Sequence, residues 1–201
     1  MARVRTLHVL VAALVIMALA TSAAPGFGAD TTVTVGPGST YEPRATSVQP
    51  GDEVTWVFVH PTDPHTVSDA SGLSLYESGI RKAGSPPLAY TFTAAGTYRY
   101  YCQFFAPDMV GTVNVGMRSV DRGSNTHMLH WASRLARPGF VYDVIRKAPG
   151  ETRFTRWQWG TEERKALYTP KRRGTYKFRA RIRRVRDGET PGWSPPLLVT
   201  R

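Results

Sequence analysis

Cys102 is the only cysteine in the chain, so no disulfide can form within it. In an oxidising compartment an unpaired thiol is a liability unless it is buried, bound to a metal or paired with another chain. The ordinary alternative is a buried thiol packed as a small hydrophobe. Imidazoles are also scarce. Beyond the first 29 residues the histidines are His60, His65, His127 and His130, with no His-x-His pair among them. Asp63 and His65 lie two apart beside several serines, but no Gly-x-Ser-x-Gly or similar nucleophile context surrounds them. That loop reads as an ordinary polar loop, and no enzyme activity is expected.

The elements that must position these residues read as β throughout. In the first half, short apolar or alternating runs cover Thr32–Val35, Ala45–Val48, Glu53–Val59, Ala89–Phe92, Thr97–Cys102 and Gly111–Val115. Pro50-Gly51-Asp52 and Ala94-Ala95-Gly96 mark turns, and Gly84-Ser85-Pro86-Pro87 marks a loop. On a strand ending at Cys102, alternation puts Tyr98, Tyr100 and Cys102 on one face, expected to be the inner one. The second half repeats the pattern with His127–Trp131, Phe140–Ile145, Phe154–Trp159, Lys165–Tyr168, Thr175–Ile182 and Leu197–Thr200. Strands at this spacing predict a sandwich or barrel in each half. Gly116 to Asn125, short and polar, is the expected joint.

Charge divides the chain at the same place. Residues 30–117 carry four Lys/Arg against eight Asp/Glu, whereas residues 118–201 carry 20 against seven. Such a break argues for two modules with different surfaces. Residues 1–29 belong to neither. Arg3 and Arg5 precede an apolar run from Leu7 to Ala20, followed by the small residues Thr21, Ser22, Ala23 and Ala24. That pattern predicts a signal peptide, and a run of about 14 residues falls short of the ~20 that span a membrane. The expected product is exported, extracellular or in the cell envelope, with no transmembrane segment once the signal is removed.

Four segments, in order, carry a family resemblance. They are Gln49-Pro50-Gly51-Asp52-Glu53-Val54-Thr55-Trp56, Pro64-His65-Thr66-Val67, Gly96-Thr97-Tyr98-Arg99-Tyr100-Tyr101-Cys102 and Met109-Val110-Gly111-Thr112-Val113. Together the region from Thr32 to Val115 resembles the plastocyanin-like blue-copper family, the cupredoxins. The resemblance implies a Greek-key β-sandwich and a copper site with two imidazoles and a thiolate near one plane and a weak axial thioether. Carried onto this chain, it implies His65, Cys102 and Met109 as ligands and copper as the cofactor. The departure is Phe105. The family places its second histidine a few residues after the cysteine, commonly three, and no histidine occurs between Gln103 and Asp108.

Three states of such a site are open. Copper is held by His65, Cys102 and Met109 alone, with Cu(I) favoured because it accepts soft sulfur ligands. Alternatively His60 swings in as a second imidazole. In the third state Phe105 fills the cavity and Cys102 is merely buried. Multicopper oxidase chemistry is excluded by the shortage of imidazoles.

Residues 118–201 resemble a fibronectin type III domain. The carrying residues are Leu129-His130-Trp131, Tyr142-Asp143-Val144, Leu167 with Pro170, Gly174-Thr175-Tyr176-Lys177-Phe178-Arg179-Ala180 and Gly192-Trp193-Ser194-Pro195. The resemblance implies a corner role for Tyr176, whose hydroxyl would bond back to the backbone, and a core role for Trp131. Along Tyr176 to Arg184, Tyr176, Phe178, Ala180 and Ile182 share one face, and Lys177, Arg179, Arg181 and Arg183 the other. Trp157, Trp159 and Trp193 are candidates to stack on those guanidinium groups. The cationic face either stiffens the sandwich or meets an anionic polymer. No base-reading motif accompanies it, so no specific nucleic-acid partner is expected.

The sequence therefore predicts an all-β chain, with a cupredoxin-like Greek-key β-sandwich followed by a fibronectin type III-like β-sandwich. The function expected is single-copper binding for electron transfer or copper handling. A redox partner protein is the expected partner, and the basic second module would contact an anionic cell-surface polymer. The alternative is a metal-free extracellular adhesion protein that uses the basic module on anionic surfaces.

Overall fold

The computed structural model describes residues 31–36 and 38–201. The expected signal peptide lies outside the described residues. Among those described, every regular element is a strand, and no helix is long and apolar enough to cross a membrane.

The first half contains β1 (Thr31–Val35), β2 (Tyr41–Glu42), β3 (Ala45–Val48), β4 (Glu53–Phe58), β5 (Ser68–Asp69), β6 (Leu88–Thr91), β7 (Gly96–Tyr101) and β8 (Val110–Val115). They form two four-stranded sheets, ordered β2-β1-β4-β6 and β3-β8-β7-β5. Alternation decides which side chains enter the space between them. From one sheet come Val33, Val35, Val54, Trp56 and Phe58; from the other come Tyr98, Tyr100, Val113 and Val115, all buried. The turn before β4 is closed by Asp52, whose carboxylate accepts the Gln49 backbone N–H at 2.8 Å. Gly51 there has φ 112°, a left-handed-side value that a Cβ would strain.

The second half contains β9 (Arg118–Asp121), β10 (His127–His130), β11 (Phe140–Lys147), β12 (Thr155–Thr161), β13 (Lys165–Tyr168), β14 (Thr175–Arg184) and β15 (Leu197–Thr200). A three-stranded sheet, β13-β10-β9, faces a four-stranded one, β12-β11-β14-β15. Leu129, Trp131, Tyr142, Val144, Phe178, Ala180 and Val199 fill the space between. The Tyr176 hydroxyl accepts the backbone N–H of Arg172 at 2.9 Å, so this tyrosine does bond back to its own corner.

Two expectations need correction. The segment 116–125 is not simply a polar joint, because β9 pairs along its length with β10, from His130 opposite Arg118 to His127 opposite Asp121. Trp157 is not part of the cationic face. Register shifts in the β11–β12 pairing leave it without an opposite residue and turn it inward. There it packs edge-on against Trp131, Phe178 and Tyr168. Trp159 and Trp193 do stack on guanidinium groups, those of Arg156 at 4.1 Å and Arg181 at 4.2 Å.

The halves touch at the start of β7. Thr97 pairs with Gly192, and Ala94 with Ala132. Arg184 donates to the carbonyl oxygens of Gly72 at 2.8 Å and Leu73 at 3.2 Å. Cys102 lies just past the other end of β7, about 17 Å from Thr97 by strand rise. The second half therefore packs against the end of the first sandwich remote from its cysteine.

Candidate metal centre

Cys102 follows β7 directly and Met109 precedes β8, so the loop joining these paired strands carries both sulfurs at its mouth. The ladder extends one step beyond the strands, with the Cys102 N–H donating to the Met109 carbonyl at 3.1 Å. Inside the loop, the Phe105 carbonyl accepts from the N–H groups of Asp108 at 3.0 Å and Met109 at 2.9 Å. These bonds fix the loop's course before any ligand is considered. Cys102 is 0 % exposed and Met109 1 %.

His65 comes from a separate segment, between β4 and β5. Its N–H donates to the Arg81 carbonyl at 2.8 Å, and its own carbonyl accepts from Arg81 at 2.9 Å. With its backbone held, the imidazole reaches Nδ1 to 3.9 Å from Cys102 Sγ. The ring is 1 % exposed, and Nε2 is buried without a partner. Burial lowers the His65 pKa below 6.5; His60 adds to that and Asp63 opposes it. The imidazole is therefore neutral at neutral pH. A proton on Nε2 leaves the Nδ1 lone pair facing the sulfur.

Thr66 ties the two segments together. Its N–H donates to Cys102 Sγ at 3.4 Å. Its hydroxyl accepts the Gln103 N–H at 2.9 Å, and its carbonyl accepts the Tyr41 hydroxyl at 2.6 Å. Thr66 was not among the residues expected to matter. A backbone N–H aimed at sulfur has no side-chain signature, and only its place after His65 pointed to it.

The residues present can be tested against a copper ion by geometry. Metal bonds of about 2.0–2.1 Å to imidazole and 2.3 Å to thiolate span the 3.9 Å gap at an angle of about 130°. That lies near the trigonal value a soft cation accepts. His65 and Cys102 thus fit one metal between them, with Met109 buried at the same loop mouth. No group of three or more His, Cys, Asp or Glu able to hold a metal occurs among the described residues.

Phe105 stands against the site. Its ring centroid is 5.2 Å from that of His65, tilted by 38°, and it has no lone pair to offer. The structure does not bring His60 in as a replacement. Its ring lies 5.6 Å from that of His65, but both nitrogens are turned to Asp63. Nδ1 accepts the Asp63 N–H at 2.9 Å, and Nε2 lies 3.6 Å from the carboxylate. The same contacts occupy Asp63 away from any His65 dyad.

No family model matches the chain. Among solved structures, a purple cupredoxin from Nitrosopumilus maritimus is 26 % identical, aligned over 43 % of this chain and 100 % of that one, at TM-score 0.39. An amicyanin variant is 31 % identical over 42 % of this chain and 80 % of its own, at TM-score 0.38. A fern plastocyanin variant is 24 % identical over 42 % and 99 %, also at TM-score 0.38. At such scores the likeness alone decides nothing, and the weight falls on the ligand geometry. The solved neighbours are cupredoxins, and the first half of this chain is a β-sandwich of two four-stranded sheets with Phe105 beside its imidazole–thiol pair.

Proposed function

We propose that the chain binds a single copper ion through His65 Nδ1, Cys102 Sγ and Met109, for electron transfer or copper handling outside the cytoplasm. The observation that carries this is the 3.9 Å approach of a buried neutral imidazole to a buried thiol from separate segments. Bound copper supplies a soft cation that changes charge by one electron. The chain's residues do the rest. The Thr66 N–H donates to Sγ and fixes where the sulfur sits, and the Thr66–Tyr41 bond holds the imidazole segment in register. Phe105 packs against the imidazole and limits water. One nitrogen and two sulfurs, without a second imidazole, suit Cu(I) better than Cu(II).

We further propose two domains, residues 30–117 and 118–201, behind a signal peptide at 1–29. A fibronectin type III-like identity for the second is supported by its three-on-four sheets and the Tyr176 corner bond. In this scheme the protein carries copper or electrons and transforms no substrate. A redox protein would meet the Cys102 end, and the basic second domain would tether the molecule to an anionic surface.

The test is copper loading of the full chain, removal of excess metal, metal assay and a visible spectrum. One copper per chain, reduced in Cys102→Ala and in His65→Ala, is expected. A wild-type protein that emerges without metal would overturn the proposal. It would favour the rival supported by the Phe105–His65 packing, a metal-free adhesion protein.

A further inference from the structure

The second half carries most of the positive charge, and its acidic residues offset only part of it. On the outer face of the four-stranded sheet, Asp143 is 0 % exposed. Its carboxylate accepts from Arg183 at 2.8 and 3.0 Å and from the Gly160 N–H at 3.1 Å, with Arg181 at 3.8 Å. Trp159 and Trp193 cover those guanidinium groups. Asp143 thereby offsets one of the two charges of Arg181 and Arg183.

A separate group of cations lies at the end of the sandwich where β14 begins. A cleft of about 190 Å³ is lined by Arg146, Glu151, Tyr168, Lys171 and Arg172, among others. Glu151 is the acidic residue in the lining. One of its oxygens accepts the Ala148 N–H at 2.8 Å and the other lies 3.7 Å from Arg146. Three cations therefore face one carboxylate whose hydrogen-bonding capacity is partly used. Arg146 Nε is buried and has no partner. Lys171 and Arg172 are exposed, and neither side chain has an acidic partner among the described residues. The Arg172 backbone N–H is held by the Tyr176 hydroxyl, which fixes the loop at the rim. A buried unpaired guanidinium N–H costs free energy unless an acceptor reaches it.

We propose that this cleft binds a phosphate group, through Arg146, Lys171 and Arg172. The surplus of two positive charges matches a phosphomonoester, which carries about −1.5 to −2 at neutral pH. The fork of guanidinium donors matches its oxygens. Burial raises the pKa of Tyr168, so its hydroxyl at the cleft wall is protonated at neutral pH. The site is independent of copper and deepens the tethering role proposed for the second half, on which it rests. Its ligand is either free phosphate or the phosphate end of a surface polymer.

The experiment is calorimetric titration of the full chain at low ionic strength with inorganic phosphate and, separately, with a sugar phosphomonoester. Saturable binding is expected, weakened roughly tenfold or more in Arg172→Gln and in Arg146→Gln. It should be unchanged in Arg186→Gln, which removes an exposed charge beyond the far end of β14. Tighter binding of the sugar ester would assign a polymer end, and equal binding a free ion. Absence of saturable binding, or equal weakening in Arg186→Gln, would overturn the cleft. Retention on an anionic matrix, tested in parallel, separates the two ideas. Salt-sensitive retention without phosphate binding would sink only the cleft, whereas no retention would sink the tether too.

Discussion

Cys102 and His65 approach each other because two separate backbone devices end at the same height. One is the β7–β8 pairing, which extends through the Cys102–Met109 bond, and the other is the paired His65–Arg81 backbone. The side chain that breaks the expected set is Phe105, in ring contact with His65. Phe105→His should place a second imidazole beside the first. After Cu(II) loading that variant is expected to show an intense visible thiolate-to-copper band that the wild type lacks. Bound copper without the band would show that the scaffold, and not this one residue, had drifted from a blue site. Period-two alternation along Tyr98, Tyr100 and Cys102 made the inward cysteine legible in advance, and all three are buried. The Thr66 clamp and the His60–Asp63 turn were not legible, since each is set by a backbone N–H meeting a side chain.

At the scale of elements, Gly111 near the start of β8 shows how closely the two strands are matched. A Cβ there would collide with the Tyr100 ring on β7. Gly111→Ala is therefore expected to destabilise the fold by about 1–3 kcal/mol through overpacking. Chemical denaturation with an unchanged midpoint would show that the ring can move aside. In the second half, β10 places His130 in a row between Arg118 and Lys165. Burial, and then the charges of Arg118, Lys165, Arg164 and Arg122, lower its pKa to about 4. Between about 4 and the unfolded value of 6.5, the unfolded chain binds a proton that the folded chain refuses. Stability from this site is thus full above 6.5 and is lost as pH falls toward 4. His130→Gln should flatten the fall of the melting temperature over that window, and an unchanged slope would assign the pH dependence to another group. Long strands such as β14 were legible from their alternation. The two-residue β2 and β5 were not, because two residues show no period, and β9 was hidden by its polar side chains. Trp157 misled because a bulge breaks the alternation that pattern reading assumes.

For the whole molecule, the contact between halves lies at Thr97, Gly192 and the Arg184 bonds, remote from Cys102. The loop mouth that carries the two sulfurs is thereby left clear of the second half. The acidic first half and basic second half, visible in the sequence as a break near residue 117, correspond to separate pairs of sheets. A redox or copper-handling role for one and a tethering role for the other need no rearrangement between them. The most direct measurement is X-ray absorption at the copper edge on the full chain loaded with Cu(I). A coordination shell of one imidazole nitrogen with two sulfurs, losing a sulfur in Met109→Leu, is the predicted result. A shell of nitrogen and oxygen alone would contradict the proposed centre at His65, Cys102 and Met109.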